Sequence, residues 1–452
     1  MKEYDLIVIG AGPGGYEAAF EAADFGMKTA LVEKEALGGT CLNHGCIPTK
    51  SLLHAADLYR SMKEASLFGL NAEGLSYDPL RMQERKNEVV LTLRKGIEAT
   101  AKKKKVDLYF GFGSVPGPGQ VHISGAQEET LHAKNILIAA GSRPVLPKIP
   151  GIDLPGVLTS DGLLELDTKI DHLVIIGGGV IGIEFASVFN ALGTAVTVIE
   201  AMPQLLPSLD REIAQSLKML MKKRGIEVLC STRVKEIRKE GEVLVSSLDT
   251  ADGQKELSSD LILAAVGRKP CSDGLFPADY APQTDRGRII VNENGETSLS
   301  GVYAIGDITG GIMLAHAASA AGKNAVHHMA NDPSRMDTRF IPSCIYTEPE
   351  IACVGLSLDE AKAAGFNADS HKIIMSSNGK TVLSGAERGF IRVVYEKESR
   401  KLLGAQMMCE RATDIISEFT EALTLGLTLE DLRKAVRPHP TFSEAVGDAL
   451  NV

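Results

Sequence analysis

The sequence predicts an α/β fold in which two similar βαβ modules are followed by an α+β unit. Three observations predict it. A strand, a glycine-rich turn, a helix and a second strand occur in that order twice. Each occurrence is closed by an apolar strand that ends in a small-residue turn and an arginine. Beyond residue 341 the order changes to strands first and helices after. Composition agrees, because 45 glycines and only 5% aromatics in 452 residues suit many tight βα turns and not an aromatic-rich β-sandwich.

The first module opens with an apolar strand at 6–9 and GAGPGG at 10–15, and its second strand ends ALVEK at 30–34. The second opens with a strand at 173–176 and GGGVIG at 177–182, and ends VTVIE at 196–200. Gly10, Gly12 and Gly15 thus recur as Gly177, Gly179 and Gly182, and each set has an acid 23 positions after its first glycine, Glu33 and Glu200. The first glycine permits the tight turn, the second lets a pyrophosphate approach the backbone, and the third lets helix pack on strand. The helix N-terminus offers free N–H groups to the diphosphate, and the acid accepts ribose hydroxyls. One G-x-G-x-x-G is weak. The full context, twice at equal offset, marks two Rossmann-like dinucleotide-binding modules.

ILIAAGSRP at 136–144 resembles LILAAVGRKP at 261–270, and these segments close the modules. Alternating stretches at 107–123 and 226–248 read as β-meanders inserted into each. The Pro/Gly-rich stretch 141–156 reads as a linker. The expected units are 1–148, 149–270, 271–340 and 341–452. In the last, strands are expected at 390–395 and 401–408, and helices at 411–425 and 429–435.

Net charge is −10, from 48 basic and 58 acidic residues, so no nucleic-acid partner is expected. The basic run Lys102–Lys105 reads as a solvated helix end near the negative pole of the dipole. The opening MKEYDLIVIG carries no signal-peptide pattern. The longest apolar stretch, 173–189, contains four glycines and Glu184, so no membrane span is expected and the cytoplasm is the expected location.

Of seven cysteines, only Cys41 and Cys46 lie close together, five positions apart. A metal site would need two more ligands, and no second Cys/His pair has ligand spacing, so no metal is expected. A structural disulfide is disfavoured in a reducing cell. The remaining reading is a redox pair entering a helix around Ile47–Tyr59, whose N-terminus favours a thiolate. The pair follows the first module's acid, so it lies near that module's cofactor. A nicotinamide exchanges hydride and a disulfide needs thiolate chemistry, and a flavin bridges the two. Cys230, Cys271, Cys344, Cys353 and Cys409 read as small core or surface residues. In RPHPTFSE at 437–444, Glu444 is placed to hold His439 as a general base, although on these residues alone a plain loop histidine stays open.

GAGPGG at 10–15, GGTCLNHGCIPTK at 38–50, AAGSRP at 139–144, GGGVIGIE at 177–184, YAIGD at 303–307, IYTEPEIACVG at 345–355 and HPTFSE at 439–444 resemble the pyridine nucleotide–disulfide oxidoreductases, over essentially the whole chain. The resemblance implies FAD in unit 1–148, held by Gly10, Gly12, Gly15, Glu33, Thr40, Lys50, Ala140 and Gly141, with Asp307 and Ala315 from a central unit that completes the site. It implies NAD in unit 149–270, held by Gly177, Gly179, Gly182, Glu200 and Gly267. Glu200 points to NAD independently, because a carboxylate there repels a 2′-phosphate and no arginine immediately follows it. The resemblance further implies a Lys50–Glu184 ion pair beside the flavin, backbone near the flavin at His316, and a C-terminal dimerisation domain. It implies that His439, oriented by Glu444 and followed by a cis proline bond, acts over the partner subunit's disulfide. Cys41 then faces the substrate and Cys46 the flavin.

Relatives differ in the disulfide they use. Phe20 and Glu21 stand where a glutathione-specific relative would want arginines. Val180 stands where such a relative has an aromatic gate. The chain ends GDALNV without cysteines, and both Cys41 and Cys46 are kept. A neutral, extended disulfide remains, and lipoamide fits. The implied partners are a second copy of the chain and a lipoyl-bearing protein of a 2-oxoacid dehydrogenase complex or glycine cleavage system. The alternatives are a reductase of another low-molecular-weight disulfide and a catalytically silent flavin-binding protein. His44, between the cysteines, departs from the common pattern and reads as a solvent-facing substitution. Thr49 replaces a common serine and keeps its hydroxyl.

Overall fold

A computed structural model describes residues 2–125, 128–386 and 389–452. The first sheet has the strand order Asp107–Phe110, Thr29–Glu33, Glu3–Ile9, Glu129–Ile138, Gln120–Ser124, Phe112–Gly117. Strand Val302–Ala304 pairs in parallel with Ile136–Ile138 and joins this sheet. Leu6, Ile7, Val8 and Ile9 are all buried, the continuous apolar run of a parallel strand covered on both faces. Helix Pro13–Asp24 starts with proline in its first turn, where no N–H is needed. Helix Ala315–Met329 packs closely on it. A Cβ at Gly322 would sit 2.6 Å from Gly14 O, so only a glycine lets the two helices approach this far.

The second sheet, ordered Glu227–Leu229, Ala195–Ile199, His172–Ile176, Leu261–Ala264, Val157–Leu158, is parallel throughout. The expected meanders start later than the alternation suggests. Asp107–Phe110 pairs in parallel with Thr29–Glu33, and Glu227–Leu229 with Ala195–Ile199. Each is therefore an outer strand of its Rossmann sheet. An edge strand with one covered face alternates just as a meander strand does, so the pattern alone cannot assign its partner. In the first module Phe112–Gly117 and Gln120–Ser124 form the antiparallel insertion, joined to strand Glu129–Ile138 that itself runs parallel to Glu3–Ile9. In the second the insertion is the three strands Arg233–Glu240, Val243–Thr250 and Gly253–Ser259.

The two closing segments that echo each other in sequence meet in space. Ser142–Pro144 and Arg268–Pro270 form a two-stranded antiparallel ribbon, pairing Arg268 with Pro144 and Pro270 with Ser142. The ribbon ties the end of one module to the end of the other.

The C-terminal unit is a five-stranded antiparallel sheet ordered Ser343–Ile345, Glu350–Gly355, Leu402–Cys409, Phe390–Glu396, Ala368–Ile374. Helix Ala412–Thr424 lays Ile416, Phe419 and Leu423 against Ile391, Val393, Ala405 and Met407. Its strands at 390–396 and 402–409 and helices at 412–424 and 429–433 match the expected spans to within two residues. The basic run closes the 26-residue helix Pro79–Lys104, with Lys102, Lys103 and Lys104 in its last turn.

A Cβ at Gly182 would meet Gly177 O at 2.1 Å, so Gly182→Ala is expected to cost about 1–3 kcal/mol through overpacking. Gly179→Ala, at φ −80° with nothing within 4 Å of the new Cβ, should leave the Tm unchanged. Thermal unfolding of the two variants checks the contrast.

Candidate active site

One cavity of about 1890 Å³ runs between the two modules and under the C-terminal unit. It is lined by both glycine turns, by Cys41, Cys46, Lys50 and Glu184, and by Asp307. Its two ends are built alike. Gly10 and Gly177 adopt φ +102° and +115°, and a Cβ at either would lie 2.4 Å from a carbonyl oxygen, of Ala139 and Ala265 respectively. No side chain can replace hydrogen there. Gly12 and Gly179, in contrast, have nothing closer than 4.0 Å around a notional Cβ. Open space at the start of each helix is where a diphosphate would approach the backbone. The cavity therefore fits two dinucleotides.

The acids at the ends of the second strands work in the same way. Glu33 accepts the N–H of Ala11 at 2.8 Å and of Glu35 at 2.9 Å. Glu200 accepts the N–H of Gly178 at 2.7 Å and of Met202 at 2.7 Å. Both carboxylates are buried, so each braces its own glycine turn and presents what remains of its lone pairs to the cavity. The carbonyl of Glu33 accepts from Gly111 and that of Glu200 from Thr232. This equivalence identifies Gly113 and Val234, two residues further on and both lining the cavity, as a matched pair that sequence reading missed. They lie far from the motifs and share no residue type, and only the duplicated backbone geometry reveals them.

Cys41 lies in the short helix Gly39–His44, and Cys46 is the first residue of helix Cys46–Glu64, after a break at Gly45. The helix thus starts one residue before the expected Ile47, and Cys46 sits at its positive end. The Cys41 thiol donates to Cys46 sulfur, which together with burial pushes Cys41 well above the usual thiol range. The same hydrogen bond, assisted by the Lys50 charge and opposed by burial, lowers Cys46 to about 7. Cys46 is therefore the thiolate of the pair and Cys41 the thiol.

Lys50, one turn along the same helix, pairs with both carboxylate oxygens of Glu184 at 2.9 and 2.8 Å. Glu184 belongs to helix Val180–Leu192 of the second module and is buried. Its Oε1 also accepts the N–H of Tyr346, whose ring lies 4.5 Å from Lys50 Nζ. The contact thus joins both modules and the C-terminal unit, and Tyr346 is a member that the sequence did not announce.

Asp307 accepts a hydrogen bond from Ser142 Oγ at 2.5 Å, and Arg268 donates to that hydroxyl and to Ser142 O, each at 2.8 Å. Thr40, Ala140, Gly141, Gly267, Ala315, His316 and His44 also line the cavity. His316 bonds the carbonyl of Pro342 at 2.7 Å, and His44 is exposed. No cluster of three or more metal-ligating side chains occurs among the described residues.

His439 and Glu444 meet each other but not the cysteines. His439 Nδ1 lies 2.8 Å from Glu444 Oε1, and the N–H of Thr441 donates to Glu444 Oε2 at 2.9 Å. These bonds hold the Glu444 carboxyl below its usual range. The His439–Pro440 bond is cis. The His439 side chain is 79% exposed and does not line the cavity, so within one chain the imidazole and the thiols are separate.

Two glycine-turn modules that share a cavity with a thiol–thiolate pair define an oxidoreductase class that moves electrons between a dithiol and a dinucleotide. The chain belongs to the pyridine nucleotide–disulphide oxidoreductases. Their family model matches residues 4–322, and the model of their dimerisation domain matches 341–450. The chain is 40% identical to a dihydrolipoyl dehydrogenase of Bacillus subtilis, over 99% of this chain and 97% of that protein. It is also 40% identical to one of Thermus scotoductus, again over 99% and 97%. Among solved structures it resembles the HOCl-induced flavoprotein disulfide reductase RclA of Escherichia coli, with 28% identity, a TM-score of 0.88 and coverage of 99% of this chain and 100% of that one.

Lys50→Met removes a charge that lowers the Cys46 thiol. The midpoint of Cys46 alkylation in the reduced protein is therefore expected to move upward from about 7, and alkylation at neutral pH to slow several-fold. Iodoacetamide labelling across pH, read by mass spectrometry, checks it.

Proposed function

We propose that this chain oxidises a protein-bound dihydrolipoyl group, with FAD in the first module and NAD in the second. One observation carries the reading: a thiol–thiolate pair at a helix start, in the cavity that both glycine turns share. The dihydrolipoyl substrate is supported by the full-length relatives of that name. FAD held at the first glycine turn, with Glu33 and Asp307 beside it, would supply two-electron exchange between the dithiol and a nicotinamide held at the second turn.

The protein's own groups do the thiol chemistry. In the oxidised protein Cys41 and Cys46 share a disulfide. A dihydrolipoyl thiol loses its proton to His439 Nε2 and attacks Cys41 Sγ. The Cys41–Cys46 bond breaks, and Cys46 leaves as the thiolate that its hydrogen bond and Lys50 stabilise. The second dihydrolipoyl thiol attacks the lipoyl sulfur of the mixed disulfide and its proton passes to the departing Cys41 sulfur, which releases the closed lipoyl disulfide and the Cys41 thiol. Glu444, fixed by the N–H of Thr441, holds Nδ1 of His439 and keeps Nε2 available as base.

This reading requires a homodimer in which His439 of the partner subunit reaches Cys41, and the match to a dimerisation domain over 341–450 supports it. The lipoyl group comes from a protein of a 2-oxoacid dehydrogenase complex or glycine cleavage system, and the cytoplasm is the proposed location. No helix among the described residues is long and apolar enough to cross a membrane.

Stopped-flow absorbance with NADH, lipoamide and a panel of other disulfides tests the substrate, and turnover with glutathione disulfide alone would sink it. His439→Ala is expected to slow the thiol half-reaction about 10²–10⁴-fold, the usual worth of a general base, while NADH reduces the flavin at the wild-type rate. Equal loss in both half-reactions would remove His439 from the mechanism.

A further inference from the structure

Helix Pro79–Lys104 runs beside the redox loop without lining the cavity. Gln83, Lys86, Val90 and Arg94 lie three or four residues apart along it and so share one face. At one end of that face Lys86 Nζ donates to Leu164 O at 2.7 Å, and Gln83 Nε2 donates to Leu166 O at 2.8 Å. These bonds grip the segment that leads into the second sheet. At the other end Arg94 Nη2 donates to Asn43 Oδ1 at 2.6 Å.

Among the described residues no carboxylate pairs with Arg94, and its buried Nε has no hydrogen-bond partner. A partly buried guanidinium without counter-charge is costly, so the bond to Asn43 is not an ordinary surface contact. Asn43 is fully engaged in turn. Its Nδ2 donates to Leu37 O at 3.1 Å and to Gly39 O at 2.9 Å. It stands between Cys41 and Cys46 and in the same short helix as Cys41.

We propose that Arg94 and Asn43 are positioning residues for the Cys41–Cys46 pair. The clamp ties the short helix to helix Pro79–Lys104, which also packs on helix Cys46–Glu64, and so holds the sulfurs within reach of each other. That raises their effective concentration and favours disulfide closure. Neither residue touches a reacting atom. The inference rests on Cys41 and Cys46 being a redox disulfide.

The test equilibrates the flavin-loaded protein with glutathione buffers at pH 7. In the exchange, Cys41 and Cys46 thiols and one glutathione disulfide give the protein disulfide and two glutathione thiols. Arg94→Met is expected to shift this equilibrium about tenfold toward the dithiol, about 30 mV for a two-electron couple. Asn43→Ala should shift it at least as far, and Arg94→Lys, which keeps a donor, should restore part of the shift. The alkylation midpoint of Cys46 should also rise from about 7, because the Cys41 S–H is no longer held against it. A lower Tm with an unchanged equilibrium and pH profile would overturn the proposal and leave the clamp purely structural. Absence of any Cys41–Cys46 disulfide in the parent protein would instead overturn the redox reading beneath it.

Discussion

The ion pair between Lys50 and Glu184 is the contact through which the rest of the site is assembled. Its partners come from the first and second modules, and the N–H of Tyr346 adds the C-terminal unit. The pair contributes little net stability, because burial of Glu184 costs its hydration. Removal of Lys50 is different, since it strands the buried Glu184 carboxylate at a cost of about 3–5 kcal/mol. The pair therefore acts as a geometric constraint: the three units dock in the one arrangement that satisfies Glu184.

The same helix carries both consequences of that docking. Cys46 occupies its first turn and Lys50 the second, so the charge that pins the units also biases the thiolate. Helix polarity, the lysine and the Cys41 S–H act together on one sulfur. The cysteine pair is chemically unequal before any substrate is present, and the inequality matches a division into a leaving thiolate and an attacked sulfur.

Much of this was legible in the sequence because the signals are short. Each glycine turn, its acid and the Cys41–Cys46 loop lie within a few dozen residues, and their chemistry constrains residue type tightly. His439 and Glu444 were legible as a pair for the same reason, and their separation from the thiols within one chain was expected only from the family resemblance. The contacts that read poorly are long-range. Tyr346 meets Glu184 through a backbone N–H, which any residue type offers. Arg268, Ser142 and Asp307 come from three separate segments. Arg94 reaches Asn43 across 51 positions, from a helix whose only feature read in the sequence was its basic end. The early onset assigned to the meanders failed likewise, because alternation reports one covered face and not the identity of a neighbour.

The braces that Glu33 and Glu200 place on the glycine turns have a further consequence for exchange at the two ends of the cavity. Both turns are held in shape by bonds made within the protein. A ligand that arrives does not have to freeze them, and so avoids about 1–2 kcal/mol of backbone entropy for each residue that would otherwise be ordered. Preorganised rims bind by fit and need no loop rearrangement on release. That suits a co-substrate that must come and go once per turnover, and at the opposite end the same rigidity suits a prosthetic group that stays.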